Sequence, residues 1–302
     1  MNTLFLKLIT ACHATALCLV INSAQAAEKL PVTASFSILG DLVRVVGGDK
    51  VSVTTLVGAD EDAHRFEPKP QDAKNLLKSK LLFVNGLGFE PWTQKLVKSA
   101  GYTGQTVVVS QSVKARFMPA AKGASQETDP HAWQNPSYVM LYVRNIAAAL
   151  TQADPANASF YQTNSLAYAK ELQTLDADAK AQFAAIAADK RKVITSHDAF
   201  GYFGAHYGIR FLAPQGMSTE AEPSAKQVAQ FIRQIQTEKT RAVFIENMSS
   251  PKLLSQLSKD AGVTVGGTLY VDALSAASGP ADSYLKLMRH NVAQLAAGML
   301  KN

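Results

Sequence analysis

Cysteine is nearly missing from this chain: its two copies, Cys12 and Cys18, both lie close to the N-terminus. Beyond Cys18 there can be no disulfide and no thiolate ligand, so any metal site there must be built from imidazole and oxygen. Long apolar runs are missing as well. No stretch after the N-terminal region approaches the ~20 apolar residues that a membrane-spanning helix needs. Basic blocks are absent too. Lys and Arg (30) outnumber Asp and Glu (24), but they are dispersed, singly or in short groups such as Lys190-Arg191-Lys192. Such a distribution gives a solvated surface and excludes a nucleic-acid footprint. Nor is there a His-Glu-x-x-His or nucleophile motif of a hydrolase.

What is present begins with an export signal. Lys7 supplies a positive n-region, Leu8 to Ile21 is mostly apolar, and Ala24-Gln25-Ala26 is a small-x-small cleavage site before Ala27. Ile9-Thr10-Ala11-Cys12 resembles a lipoprotein cleavage box. However, only four residues separate Lys7 from Cys12, which leaves almost no apolar core, so cleavage after Ala26 is the expectation. Both cysteines would then be lost. About 276 residues remain, with a charge near +5 once Lys7 is subtracted from +6. That is enough for two domains of ordinary size.

Apolar strand-like runs alternate with helical patterns. Val32–Phe36, Val51–Val57, Leu81–Val84 and Thr106–Val109 read as strands, separated by helices at 38–46, 70–78 and 93–100. Residues 113–128 show no period and read as a loop. Helices follow at 137–152 and, from an Asp154 N-cap with Pro155 in the first turn, on to about Ala188. The second stretch has neither Gly nor Pro after Pro155 and would span roughly 50 Å if unbroken. It reads as a rigid strut, with a split near Thr174 to Asp178 as the alternative. Alternation then resumes, with strands at 192–195, 210–213, 242–245 and 263–271 and a closing helix at 282–300. The expected class is α/β: two lobes (27–153 and 189–302), each a parallel sheet flanked by helices, joined by a linking helix (154–188).

Four potential ligands follow strands in this scheme, directly or after a loop. They are His64, His131, His197 and Asp272, two in each half. Ligands bind at the carboxyl ends of strands in open parallel sheets, so a site between the lobes is expected. Three imidazoles and a carboxylate suit tetrahedral Zn²⁺. Taken singly, each histidine reads as a polar loop residue and Asp272 as a helix cap; the set of four makes the case. Glu246, Asn135 and Glu67 are candidates for supporting the ligands, as is Asp129, and each could instead bond only local backbone. His206 and His290 read as packing or surface residues. If Asp272 does not bind, water or a nearby acid such as Glu61 is the substitute fourth ligand. A secreted zinc hydrolase is the competing class, but four ligands leave no open water position.

The motifs carry a resemblance that covers essentially the whole chain after the signal. The chain resembles the zinc- and manganese-binding solute-binding proteins of ABC importers, the ZnuA/TroA-like family. His64-Arg65-Phe66-Glu67-Pro68 is close to that family's His-x-Tyr-Glu-Pro, and Asp129-Pro130-His131-Ala132-Trp133 to its Asp-Pro-His-x-Trp. Asn85-Gly86-Leu87-Gly88-Phe89-Glu90-Pro91-Trp92, Glu222-Pro223-Ser224 and Tyr270-Val271-Asp272-Ala273-Leu274 add to it. The resemblance implies two lobes bridged by a long helix, a buried metal held by the same four residues, and an ABC membrane permease as partner. A periplasmic metallochaperone is an optional second partner, and a periplasmic monomer is expected. His197 stands where manganese carriers often have Glu, which favours Zn²⁺ over the alternative Mn²⁺. Residues 114–128 lack the histidines of the metal-collecting loop found in many zinc members.

Overall fold

Continuous Val/Leu/Phe runs can be buried on both faces only in a sheet covered by helices on each side, and this chain contains two such sheets. The computed structural model describes residues 28–117, 126–214, 216–220, 224–248 and 251–302. The expected signal segment, the loop residues Pro119 and Gly123, and Glu222-Pro223 lie outside the described residues.

The first half runs β1 (Leu30–Phe36), α1 (Ser37–Gly47), β2 (Val51–Val57), α2 (Pro70–Leu77), β3 (Leu81–Val84), α3 (Trp92–Ala100) and β4 (Gln105–Val108). Its four strands are parallel in the order β2-β1-β3-β4. Central β3 is buried at every residue, whereas the edge strand β4 is largely exposed. The stretch read as a loop contains a short antiparallel pair, β5 (Arg116–Phe117) with β6 (Thr128–Asp129). Two-residue strands carry no periodicity, so the sequence pattern could not reveal them.

α4 (Pro136–Ala153) precedes α5 (Ala158–Ala184), an unbroken helix of 27 residues that continues through Thr174 to Asp178. It begins later than expected. The Asp154 carboxylate accepts from Asn157 Nδ2 (2.7 Å) and the Tyr161 hydroxyl (2.6 Å), and Pro155–Asn157 forms a 3₁₀ turn. At 1.5 Å per residue α5 is about 40 Å long. It packs on α1 and α4 of the first half.

The second half runs β7 (Lys192–Ile194), α6 (Gly201–Tyr207), β8 (Arg210–Leu212), α7 (Ala225–Glu238), β9 (Val243–Glu246), α8 (Pro251–Ala261), β10 (Val265–Leu269) and α9 (Tyr284–Met299). Its strands are parallel in the order β10-β9-β7-β8. α5 also contacts α6 and α9, so one helix touches both halves. Leu285, Met288, Val292, Leu295 and Met299 of α9 are buried, as their spacing requires. They belong to one apolar cluster that extends from Val32 through both halves to Met299. Among the described residues, no helix is long and apolar enough to cross a membrane.

Candidate metal site

Parallel strands deliver their following residues to the same sheet edge, and here two such edges face one another. His64 lies in the segment after β2, His131 follows β6, His197 follows β7 and Asp272 follows β10. One ligand atom from each falls within 4.8 Å of the others. His64 Nε2 is 3.4 Å from His131 Nε2 and 3.3 Å from Asp272 Oδ2. His197 Nε2 is 3.1 Å from Asp272 Oδ2, and His131 Nε2 is 3.8 Å from Asp272 Oδ1. Tetrahedral bonds of ~2.0–2.1 Å to one ion would put ligand atoms ~3.3 Å apart, close to these separations.

The set is dry. His131, His197 and Asp272 have no exposed surface, and His64 is 7% exposed. His197 Nε2 and both Asp272 oxygens are buried without completing a satisfactory hydrogen bond. Burying such groups unpaired is costly, and a cation bound among them would offset that cost. Burial by itself disfavours the charged forms, yet the neighbours prevail. The carboxylates of Glu246 and Asp272 hold the His197 imidazole well above its usual range, while His197 and His131 hold the Asp272 carboxyl well below its own.

Two further carboxylates aim the rings. Glu246 Oε2 lies 2.5 Å from His197 Nδ1, and Glu246 Oε1 accepts from the amides of Ser196 (2.8 Å) and His197 (3.0 Å). Asp129 Oδ1 lies 2.9 Å from His131 Nδ1 and accepts the His131 amide at 3.0 Å. A proton held on each Nδ1 leaves the Nε2 lone pair directed into the cluster. Gly201 is needed beside this arrangement, since a Cβ there would stand 2.4 Å from Asp129 Oδ2.

The glycine-rich motif before α3 is the foundation of the His64 and His131 positions. The Trp92 indole donates to the Ala63 carbonyl (2.9 Å), immediately before His64. Asn85 Nδ2 donates to the Pro130 carbonyl (2.9 Å), immediately before His131. Buried Glu90 gathers the Ser35 hydroxyl and the amides of Asn85 and Gly86, which fixes the turn. Phe89 sets its ring edge-on against His64 with centroids 4.8 Å apart. Positive φ at Gly86 and Gly88 lets this chain turn that tightly.

Of the supporting candidates, Glu246 meets the His197 ring. Asn135 instead caps α4 by accepting the Ser137 amide (2.9 Å), and Glu67 is exposed. Glu61 accepts the Gly58 amide (2.6 Å) at the surface. Asp129, which sequence reasoning left undecided, is the carboxylate on His131; its position two residues before a ring in Asp-Pro-His was the available signal. His206 is not a plain packing residue, because its Nε2 meets Asp176 Oδ1 of α5 at 2.6 Å. His290 meets the Thr268 carbonyl at 2.8 Å.

A sequence model of the ZnuA family, described as zinc-uptake complex component A, periplasmic, matches residues 32–298. The iron ABC transporter substrate-binding lipoprotein MtsA of Streptococcus pyogenes serotype M1 is 31% identical over 300 residues, covering 97% of this chain and 95% of its own length. The manganese ABC transporter substrate-binding lipoprotein PsaA of Streptococcus pneumoniae is 31% identical, covering 93% of this chain and 92% of its own. Among solved structures, the periplasmic zinc binding protein TroA of Treponema pallidum superposes with a TM-score of 0.85 and 26% identity, covering 90% of this chain and 99% of that one.

Proposed function

The chain belongs to the ZnuA family of metal-binding ABC-importer solute-binding proteins, which are not enzymes, and from that premise we propose that its cargo is Zn²⁺. The ion is captured by His64, His131, His197 and Asp272 and handed to the membrane permease. The observation that carries this reading is the buried convergence of three Nε2 atoms and one carboxylate within 4.8 Å. Three imidazoles make a borderline-soft set, which favours zinc over manganese. The relatives are named for iron, manganese and zinc, so the ligand chemistry of this chain has to decide. Manganese is the second reading, supported by one feature: both Asp272 oxygens face the cluster and could bind together.

The protein is a periplasmic monomer released by cleavage after Ala26. Residues 27–153 and 189–302 act as its two lobes and residues 154–188 as the strut between them. A periplasmic metallochaperone is the optional second partner. The relatives named as lipoproteins make a lipid on Cys12 the competing maturation, and the mass of the mature N-terminus separates the two.

The deciding experiment is metal content of protein purified without chelator, followed by competitive titration. One zinc per chain, bound much more tightly than Mn²⁺, is expected. Equal affinity for the two ions would overturn the zinc assignment.

A further inference from the structure

The segment that carries His64, Gly58-Ala59-Asp60-Glu61-Asp62-Ala63-His64, is rich in acids, yet none of its carboxylates is in the ligand cluster. Glu61 folds back onto its own chain, whereas Asp60 and Asp62 reach across to the second half. Asp62 Oδ1 accepts the His64 amide (2.9 Å), and its Oδ2 accepts the Thr219 hydroxyl (2.6 Å). Asp60 Oδ1 accepts from Asn247 Nδ2 (2.8 Å), and its Oδ2 accepts the Ala276 amide (3.1 Å). The Asp60 amide donates to the Leu274 carbonyl (2.9 Å). These partners are not arbitrary. Asn247 follows Glu246, the carboxylate on His197, and Leu274 lies two residues after Asp272. Asp60 sits at φ 56°, a left-handed conformation uncommon for a residue other than glycine, and the three bonds hold it there.

His64 is also the one ligand with exposed surface. It lines two cavities, one of about 520 Å³ with Trp92, Lys95 and Glu220, and one of about 460 Å³ with Phe89, Met217 and Glu220. Both place second-half residues, Glu220 in each and Met217 in one, beside the His64 side of the cluster. The contact between these two segments therefore borders the least buried side of the cluster.

We propose that Asp60 and Asp62 are positioning residues that clasp the His64 segment to the second half and so set how fast the bound metal leaves. The clasp rests on the four-ligand reading above. It acts on the dissociation rate because its bonds are made across the two halves and not to the ion. Thr219 and Asn247 supply the opposite side of the clasp, so the Asp62 contact can be cut at Thr219 without altering the segment that holds His64.

The test uses full-length mature protein loaded with Zn²⁺ and a chelator in excess, with release followed in time. Thr219→Val removes the hydroxyl and keeps the shape, Thr219→Ser restores it, and Asp60→Asn weakens the second contact. Zinc release is expected to be about tenfold faster in Thr219→Val and Asp60→Asn and within twofold of wild type in Thr219→Ser. Stoichiometry and the zinc X-ray absorption spectrum should stay unchanged throughout. Release rates within twofold of wild type in both weakened variants, with one zinc still bound, would overturn the clasp alone. A wild-type protein that binds no zinc would overturn the four-ligand reading and the clasp with it. A modest fall in the melting temperature of metal-free Thr219→Val, restored in Thr219→Ser, is expected, and release that accelerates equally in Thr219→Ser would show a packing effect and overturn the hydroxyl's role.

Discussion

The Trp133 indole nitrogen donates to the Val271 carbonyl at 2.9 Å, so the residue two places after His131 holds the residue just before Asp272. Gln134 Nε2 donates to the same oxygen at 3.0 Å, and the Trp133 carbonyl accepts the Tyr284 hydroxyl at 2.7 Å. One buried turn of the first half thereby fixes the height of the carboxylate contributed by the second. Ligands from distant parts of the chain can share one ion only if such contacts set their separation.

Trp133→Phe keeps most of the buried ring and deletes the donor. Gln134 still reaches the carbonyl, so the lost hydrogen bond should cost about 0.5–1.5 kcal/mol, to which the cavity left by the smaller ring adds. Chemical denaturation of the metal-free protein measures it. Zinc affinity should fall as well, because Asp272 loses part of its support; a variant with reduced stability and unaltered affinity would contradict the coupling.

Replacing His197 by Ala removes one of three imidazoles and also leaves Glu246 buried without its ring. Zinc binding should weaken sharply, more than for Glu246→Gln, which keeps the ligand and disturbs only its orientation. For the latter a loss of about 10–100-fold is expected. Competition against a chelator of known affinity ranks the two, and the reverse order would count against His197 as a ligand.

Zinc should stabilise the folded protein by RT ln(1 + [L]/Kd), about 4 kcal/mol at a thousandfold excess over Kd. Thermal melting should rise on adding zinc and return with chelator. An unaltered melting temperature at saturating zinc would rule out a site that joins the two halves.

The metal-free protein has a definite pH dependence. Burial opposes charge on His197, but Glu246 and Asp272 raise its folded value well above the ordinary imidazole range. Its stabilising contribution is therefore complete below the unfolded value, about 6.5, and is lost as pH rises through the folded value. Asp272 is lowered by His197 and His131 against its burial, so its contribution is present above about 3.9 and is lost as pH falls through the folded value. Zinc must displace the His197 proton, so affinity should increase with pH through neutrality. Calorimetry at pH 7 in buffers of different ionisation enthalpy should detect proton release on binding. Binding heats that do not depend on the buffer would contradict this protonation state.

The sequence by itself determined the class of fold, because β-branched runs of strand length alternating with helical periods can be buried only as parallel sheets between helices. It also limited metal ligands to nitrogen and oxygen, since both cysteines stand at the N-terminus. His64, His197 and Asp272 were legible as residues that follow strands, since the period of the strands marks where each edge lies; His131 was legible only as the end of a loop, because the two-residue β6 before it carries no period. Their separations were not legible, because they depend on how two sheets are set against each other by Trp133, Gln134 and Tyr284. The local pattern was equally silent on the acids. Asp60, Glu61 and Asp62 are adjacent in sequence, yet the fold sends one back to Gly58 and two across to the other half. Glu246 and Asp129 stood among several candidate supporting acids, and only the tertiary structure decided that each meets an imidazole. Contacts between residues 49 or more positions apart, such as His197 with Glu246, are fixed by packing, and no local spacing rule encodes them.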